Sequence, residues 1–262
     1  MIRLPERTLE KQILEQLSKW QLEIDSQESF LDRKKLAIKR YKQLNKAENK
    51  IFLKVRETLR SMCGGIERCA YCEDSHATSI DHFRPKTCYP ELTFVWENYV
   101  PACPSCNQNK GDGFALDQGS ESTIELDCRK QTEAPPQGSP VLIDPRQENP
   151  SDLLDLDLNT GLLLPHYKLP PRPKSRASYT IKRLRLNDDA LVRARQAAYE
   201  HFVLAVKAFI YDSQHHTETL KQTSDAIHRS SHPMVWQEMK RQYLDYPVLA
   251  DLFRKAPELL DI

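Results

Sequence analysis

Residues 69–110 read CAYCEDSHATSIDHFRPKTCYPELTFVWENYVPACPSCNQNK. The stretch opens with Cys69-x2-Cys72 and closes with Cys103-x2-Cys106. A Cys-x2-Cys pair lets two thiolates from one tight turn reach the same metal, and two such pairs supply the four-thiolate set that structural zinc prefers. Thirty residues separate the pairs, more than the roughly 15–20 of a plain zinc ribbon, so the loop has room for an extra element. That loop carries Asp81-His82 and Asn98, and Asn107 follows the last cysteine.

Working outward, Thr78 to His82 alternates as a short strand and Leu92 to Trp96 as a second. Pro85 and Pro90 punctuate the connection. A short helix is predicted after Pro104, through Asn107 and Lys110, ended by Gly111 and Gly113. Strand, strand, helix is the expected order. Before it, apolar residues at Leu9, Ile13, Leu17 and Trp20 mark one helix over about 5–24. A second helical stretch covers about 29–59, with a break near Asn45 and an end at Gly64-Gly65. Such stripes are read as core.

After the cysteines, 131–140 reads as loop, and Asp144-Pro145 as a turn. Residues 155–158 and 162–164 flank Asn159-Thr160-Gly161 as a β-hairpin. The proline-rich 165–173 is expected to be an extended arm. Helix resumes from Tyr179, and a strong helix capped by Asn187 or Asp188 runs to about Tyr211. The polar stretch 214–231, with His215, His216 and His228, and the adjacent His232 are read as solvated loop. A last helix contains Val235, Trp236, Met239 and Tyr243.

The composition, 39% hydrophobic and 29% charged, suits a globular chain, and no apolar run is long enough to span a membrane. The opening MIRLPERTLEKQ carries charge where a secretory signal needs an apolar core, so the expected location is the cytoplasm. Cys63, Cys88 and Cys128 are then expected to be small buried or idle thiols. Net charge is +1 and announces no polyanion partner. Between Leu158 and Asn187, however, there is no acidic residue and there are seven cations, Lys168, Arg172, Lys174, Arg176, Lys182, Arg183 and Arg185. Such a patch can neutralise phosphates; a solvated loop without a partner is the alternative.

Breaking a phosphodiester needs a base near neutral pH and a cation at the phosphoryl oxygen. His82 suits the first task, and Asp81 with Asn107 offers hard oxygen ligands for the second. On a strand, Asp81 and His82 point to opposite faces, so a bend must bring them to one site. At these residues the chain resembles the cysteine-framed HNH endonucleases, whose core is the ββα-metal fold. The resemblance implies His82 as general base, Asn98 as the residue that fixes the loop and orients His82, and Asp81 and Asn107 as ligands of a catalytic Mg²⁺ or Mn²⁺. It assigns Cys69, Cys72, Cys103 and Cys106 to structural Zn²⁺. Asn107 stands where many HNH enzymes have histidine, which leaves the identity of the catalytic ion open.

The expected fold is α+β, mostly α, with helical flanks at 1–60 and 187–262. Between them lie a zinc-stapled nuclease core at 61–128 and a loop, hairpin and basic segment at 129–186. Arg84, Lys86 and Lys110, with Lys174 and Arg176, are the expected nucleic-acid contacts. Tyr89 and Trp96 could stack on bases, although packing on the zinc core is the simpler reading, and His76 is read as structural.

A narrower likeness runs from His82-Phe83-Arg84-Pro85-Lys86 through Tyr89-Pro90-Glu91-Leu92-Thr93-Phe94 to Trp96 and Asn98. There the chain resembles the PtuB nucleases of Septu antiphage systems, including retron-associated versions. That likeness implies a PtuA-like ATPase partner, and a retron RNA–DNA complex where a retron is present. The chain has no Gly-x4-Gly-Lys-Ser/Thr loop, so ATP dependence would come from another chain. DNA is the favoured substrate. The rivals are a ribonuclease, acting for example on tRNA, and a non-catalytic zinc module.

Overall fold

The computed structural model describes residues 1–63, 67–74, 76–119, 123–215 and 220–262. The fold is mixed α+β and mostly helical. Three helices open it, α1 (Lys11–Asp25), α2 (Phe30–Leu44) and α3 (Lys50–Ser61). Ser29 caps α2 by accepting from Asp32 N at 3.1 Å, and Asn49 caps α3 by accepting from Ile51 N at 3.0 Å. The break near Asn45 is therefore real. The α1 helix starts later than its stripe suggests because the preceding backbone is spent elsewhere. Ile2 N donates to Ala70 O, and Leu4 N to Pro145 O. The expected stop at Gly64-Gly65 lies outside the described residues.

The central unit is a two-stranded antiparallel ribbon, β1 (Ser79–His82) with β2 (Tyr99–Ala102), followed by α4 (Pro104–Lys110). Residue pairs run from Ser79 with Ala102 to His82 with Tyr99, without a bulge. The second strand was expected at 92–96 and lies later. Single 3-10 turns at Pro90–Leu92 and Trp96–Asn98 flank the segment instead. Its backbone is held by a side chain: Gln21 of α1 accepts from Phe94 N at 2.8 Å and donates to Pro90 O at 3.1 Å. Phe94 packs among Trp20, Tyr41 and Phe52, with ring centroids 5.5, 6.2 and 6.4 Å away. The β-prone residues of 92–96 thus serve the helix–ribbon core, and tertiary packing overrides strand propensity.

Strands β3 (Gly113–Asp117), β4 (Thr123–Asp127) and β5 (Ser139–Pro140) form a sheet in the order β4-β3-β5 that the pattern did not announce. The hairpin β6 (Leu154–Leu156) with β7 (Leu163–Pro165) lies where expected. Its Gly161 has φ of +73°, and a Cβ there would lie 2.8 Å from Val192 O, so the turn needs glycine. The proline-rich arm is corrected: α5 (Pro171–Arg183) begins inside it. A proline in the first turn costs nothing, since its missing N–H has no helical partner. Helices α6 (Asp189–His215), α7 (Leu220–Arg229), α8 (Pro233–Gln242) and α9 (Pro247–Lys255) follow. The expected loop at 214–231 is largely helical, with Thr223 and Ile227 of α7 buried; His216 lies outside the described residues. No described helix is long and apolar enough to cross a membrane.

Candidate metal-framed active site

The Cys69–Cys72 turn and the start of α4 face one another across the ribbon. All four sulfurs lie within 4.8 Å of each other, and Cys72 Sγ is 3.8 Å from Cys103 Sγ. Zn–S bonds of about 2.3 Å put tetrahedral sulfurs about 3.8 Å apart, so the donor set fits zinc. Among the described residues it is the one group of three or more His, Cys, Asp or Glu placed to hold an ion. Cys103 also caps α4, accepting from Cys106 N at 3.3 Å.

The expectation of idle thiols is corrected for two residues: Cys88 and Cys128 form a disulfide. It ties the loop after β1 to the end of β4. Cys63 is the buried thiol expected, and burial pushes it up to about 12.

On β1, Asp81 and His82 do point to opposite faces, since the register contains no bulge. Asp81 faces α4. Its Oδ1 lies 3.0 Å from Lys110 Nζ, and its Oδ2 accepts from Tyr71 Oη at 2.6 Å. Lys110 Nζ also donates to His82 O at 2.7 Å. Lys110 is 0% exposed, which corrects its assignment as a phosphate contact. Its ammonium is a structural pin between helix and strand. Asn107 sits on α4 one turn before Lys110, half-buried.

His82 faces the aromatic core and is 4% exposed. Its ring lies 4.4 Å from Tyr41 of α2 and 5.3 Å from Tyr99, centroid to centroid. The Thr93 carbonyl can only accept, so its 2.9 Å contact puts the proton on Nε2 and leaves the lone pair on Nδ1. Burial, reinforced by the Lys86 cation, holds the imidazole well below the usual histidine range. The imidazole is neutral but covered by Tyr41 of α2. Asn98 stitches the ribbon's open end, accepting from Arg84 N at 2.8 Å and donating to Arg84 O and Leu92 O, both at 3.0 Å. It acts one residue from the Thr93 carbonyl that holds His82.

The other expected nucleic-acid contacts separate. Arg84 lies over the rings of Tyr89 and Phe114, at 5.0 and 5.6 Å, and lines a cleft of about 580 Å³ with Arg172, Arg176 and Glu148. Lys86 sits 5.0 Å from the Tyr41 ring centroid. The basic segment is acid-free in sequence but not in space. Arg176 makes a two-pronged pair with Glu148 at 2.7 Å, and Arg172 pairs with Asp117. Lys174 is exposed. Trp96 donates to Arg7 O and is buried, which makes it a packing residue. Sequence reasoning missed Tyr71, Thr93 and Tyr41. Tyr71 stands between two zinc-spaced cysteines, but nothing in the spacing says that its hydroxyl turns toward Asp81.

A divalent ion of the catalytic kind does not fit this donor set as folded. Asp81 is its one carboxylate, and both oxygens are engaged, one by an ammonium.

Residues 69–113 match the family model described as HNH endonuclease. The Septu protein PtuB of Bacillus thuringiensis is 41% identical over 49 residues, which cover 17% of this chain and 19% of that protein. Protein ea31 of Escherichia phage lambda is 44% identical over 54 residues, covering 20% and 18%. The alignments thus span about a fifth of each curated relative. With the β1–β2–α4 order and the four-cysteine frame, residues 69–113 form a domain that matches the HNH endonuclease model, set in a larger, mostly helical chain.

Proposed function

We propose that this domain hydrolyses phosphodiester bonds of nucleic acid, DNA before RNA, as the effector of an antiphage defence system under control of a PtuA-like ATPase. The observation that carries the reading is the HNH match over 69–113, with Asp81-His82 closing β1 and Asn107 on the facing helix. His82, neutral with Nδ1 unprotonated, is suited to take a proton from the attacking water. A neutral base is ready at pH 7 without losing a proton first. The partner and the defence role rest on the likeness to PtuB alone.

Mg²⁺ or Mn²⁺ remains the ion of this reading; when bound it would neutralise phosphoryl charge. Access to His82 would require Tyr41 and α2 to withdraw, which suits an enzyme that waits for a trigger.

The test is cleavage of plasmid DNA and total RNA in Mg²⁺ or Mn²⁺, with and without a PtuA-like ATPase. Cleavage that disappears in His82→Ala, at unchanged zinc content, supports the proposal. Cleavage retained by that variant removes His82 from the base role. The polymer degraded decides between DNA and RNA.

A further inference from the structure

One arginine of the basic α5 segment sits on the end of another helix. Arg183 lies against the C-terminus of α4 and donates through Nη2 to the Lys110 carbonyl. A cation at that end offsets the exposed carbonyl dipoles of the helix. The guanidinium also faces Glu125 of β4, with Nη1 4.0 Å from Oε1. It fills the space over Gly113 so tightly that a Cβ there would fall 1.4 Å from Nη2 and 1.9 Å from Cζ. Gly113 thus serves as the seat of this side chain.

The contact leads directly into the site. Lys110 carries the accepting carbonyl on its main chain, and its Nζ holds both the Asp81 carboxylate and the His82 carbonyl. We propose that Arg183, seated on Gly113, is a positioning residue that fixes the end of α4 and, through Lys110, sets the Asp81–His82 strand. The residue comes from outside the 69–113 segment, so the larger chain completes the geometry of the domain.

The inference rests on the nuclease reading for its catalytic readout, and the experiment keeps the two apart. Gly113→Ala is the sharp variant. It keeps both Arg183 and Lys110, and the clash falls on the far end of a flexible side chain, so the guanidinium swings out while the fold stays. Arg183→Ala removes the same contact from the other side. In the full chain with its ATPase partner, each should slow single-turnover cleavage by about 10- to 100-fold, as misplacement of catalytic groups does. The double variant should be no slower than either single one. Arg183→Lys should recover much of the rate, since an ammonium can still donate to the carbonyl. DNA affinity and its salt dependence should not move.

A rise in Kd with a shallower salt slope and an unchanged rate would make Arg183 a phosphate contact and overturn the proposal. Additive losses would overturn the shared seat. If the wild type cleaves nothing, the nuclease reading fails by itself, and amide exchange still judges Arg183. Faster exchange over 79–82 and 104–111 in both single variants, at full zinc content, supports the proposal. Unchanged exchange there overturns it.

Discussion

At the scale of single residues, burial does most of the chemistry. His82 and His232 are both buried, and burial first of all holds each below the usual histidine range. The unfolded chain therefore binds more protons than the fold once pH drops toward about 6.5. Their stabilising contribution is full above that value and is lost as pH falls from it toward the folded pKa. Each histidine contributes a slope of at most about 1.4 kcal/mol per pH unit. Urea midpoints should accordingly fall between pH 7.5 and 5, and His82→Asn should flatten the decline. A curve unchanged by that substitution would show that His82 is not held neutral. Gln21 makes a similar point about polar groups. It is buried and serves the Phe94 amide and the Pro90 carbonyl at once. Gln21→Leu should cost about 1–3 kcal/mol in denaturant unfolding, because the amide and carbonyl lose their partner. A loss below a few tenths would mean that water or a neighbour replaces it.

At the scale of elements, the ribbon and α4 are stapled twice. The cysteine frame holds α4 to the turn before β1, and the Cys88–Cys128 disulfide holds the β1 exit to β4. Lys34 of α2 donates to the carbonyls of Cys128, Arg129 and Gln131, so the helix that covers His82 is anchored beside the same bridge. A cross-link over 40 residues restricts the unfolded chain by about 4 kcal/mol in the loop-entropy picture. Dithiothreitol, or Cys88→Ser, should lower the unfolding free energy toward that extent without lowering zinc content. Cys103→Ser should lower zinc content and destabilise the domain together, since metal binding is coupled to folding. Equal zinc stoichiometry in Cys103→Ser would remove that thiol from the ligand set.

The same elements show what the sequence could tell. Breaks and metal spacing are local, and the break near Asn45 and the two Cys-x2-Cys pairs were legible. The second strand was not, because 92–96 has strand-like residues whose backbone partner is Gln21, some 70 positions away. The disulfide was hidden because nothing in the spacing of Cys88 and Cys128, 40 positions apart, says that the β1 exit meets the end of β4. The acid-free run 159–186 looked like a phosphate patch because Glu148, Asp117 and Glu125, the partners of Arg176, Arg172 and Arg183, lie earlier in the chain.

At the scale of the whole molecule, the Cys69–Cys72 turn is a junction as well as a staple. Cys69 N donates to Asp74 O and Glu73 N to Cys69 O, so this turn fixes Glu73. Glu73 is 2% exposed, and its two oxygens take the Met1 ammonium at 2.5 Å and the Met234 amide at 2.8 Å. Burial pushes its carboxyl up, but these partners outweigh it and hold the group below the usual range. Met234 lies in the first turn of α8, where amides lack a helical partner, so Glu73 caps that helix from more than 150 residues away. Arg195 of α6 lies near the same turn; burial lowers it to about 10, against the Glu73 carboxylate first and the Cys72 sulfur second, which hold it up. Removing zinc should therefore be felt far from the cysteines. Chelation at pH 7.5 should speed amide exchange over 233–242 in step with 69–74 and 103–110. Glu73→Gln, which keeps every thiolate, should loosen 233–242 alone. If 233–242 keeps its protection after chelation, the C-terminal helices stand without the zinc turn, and the junction is one of proximity only.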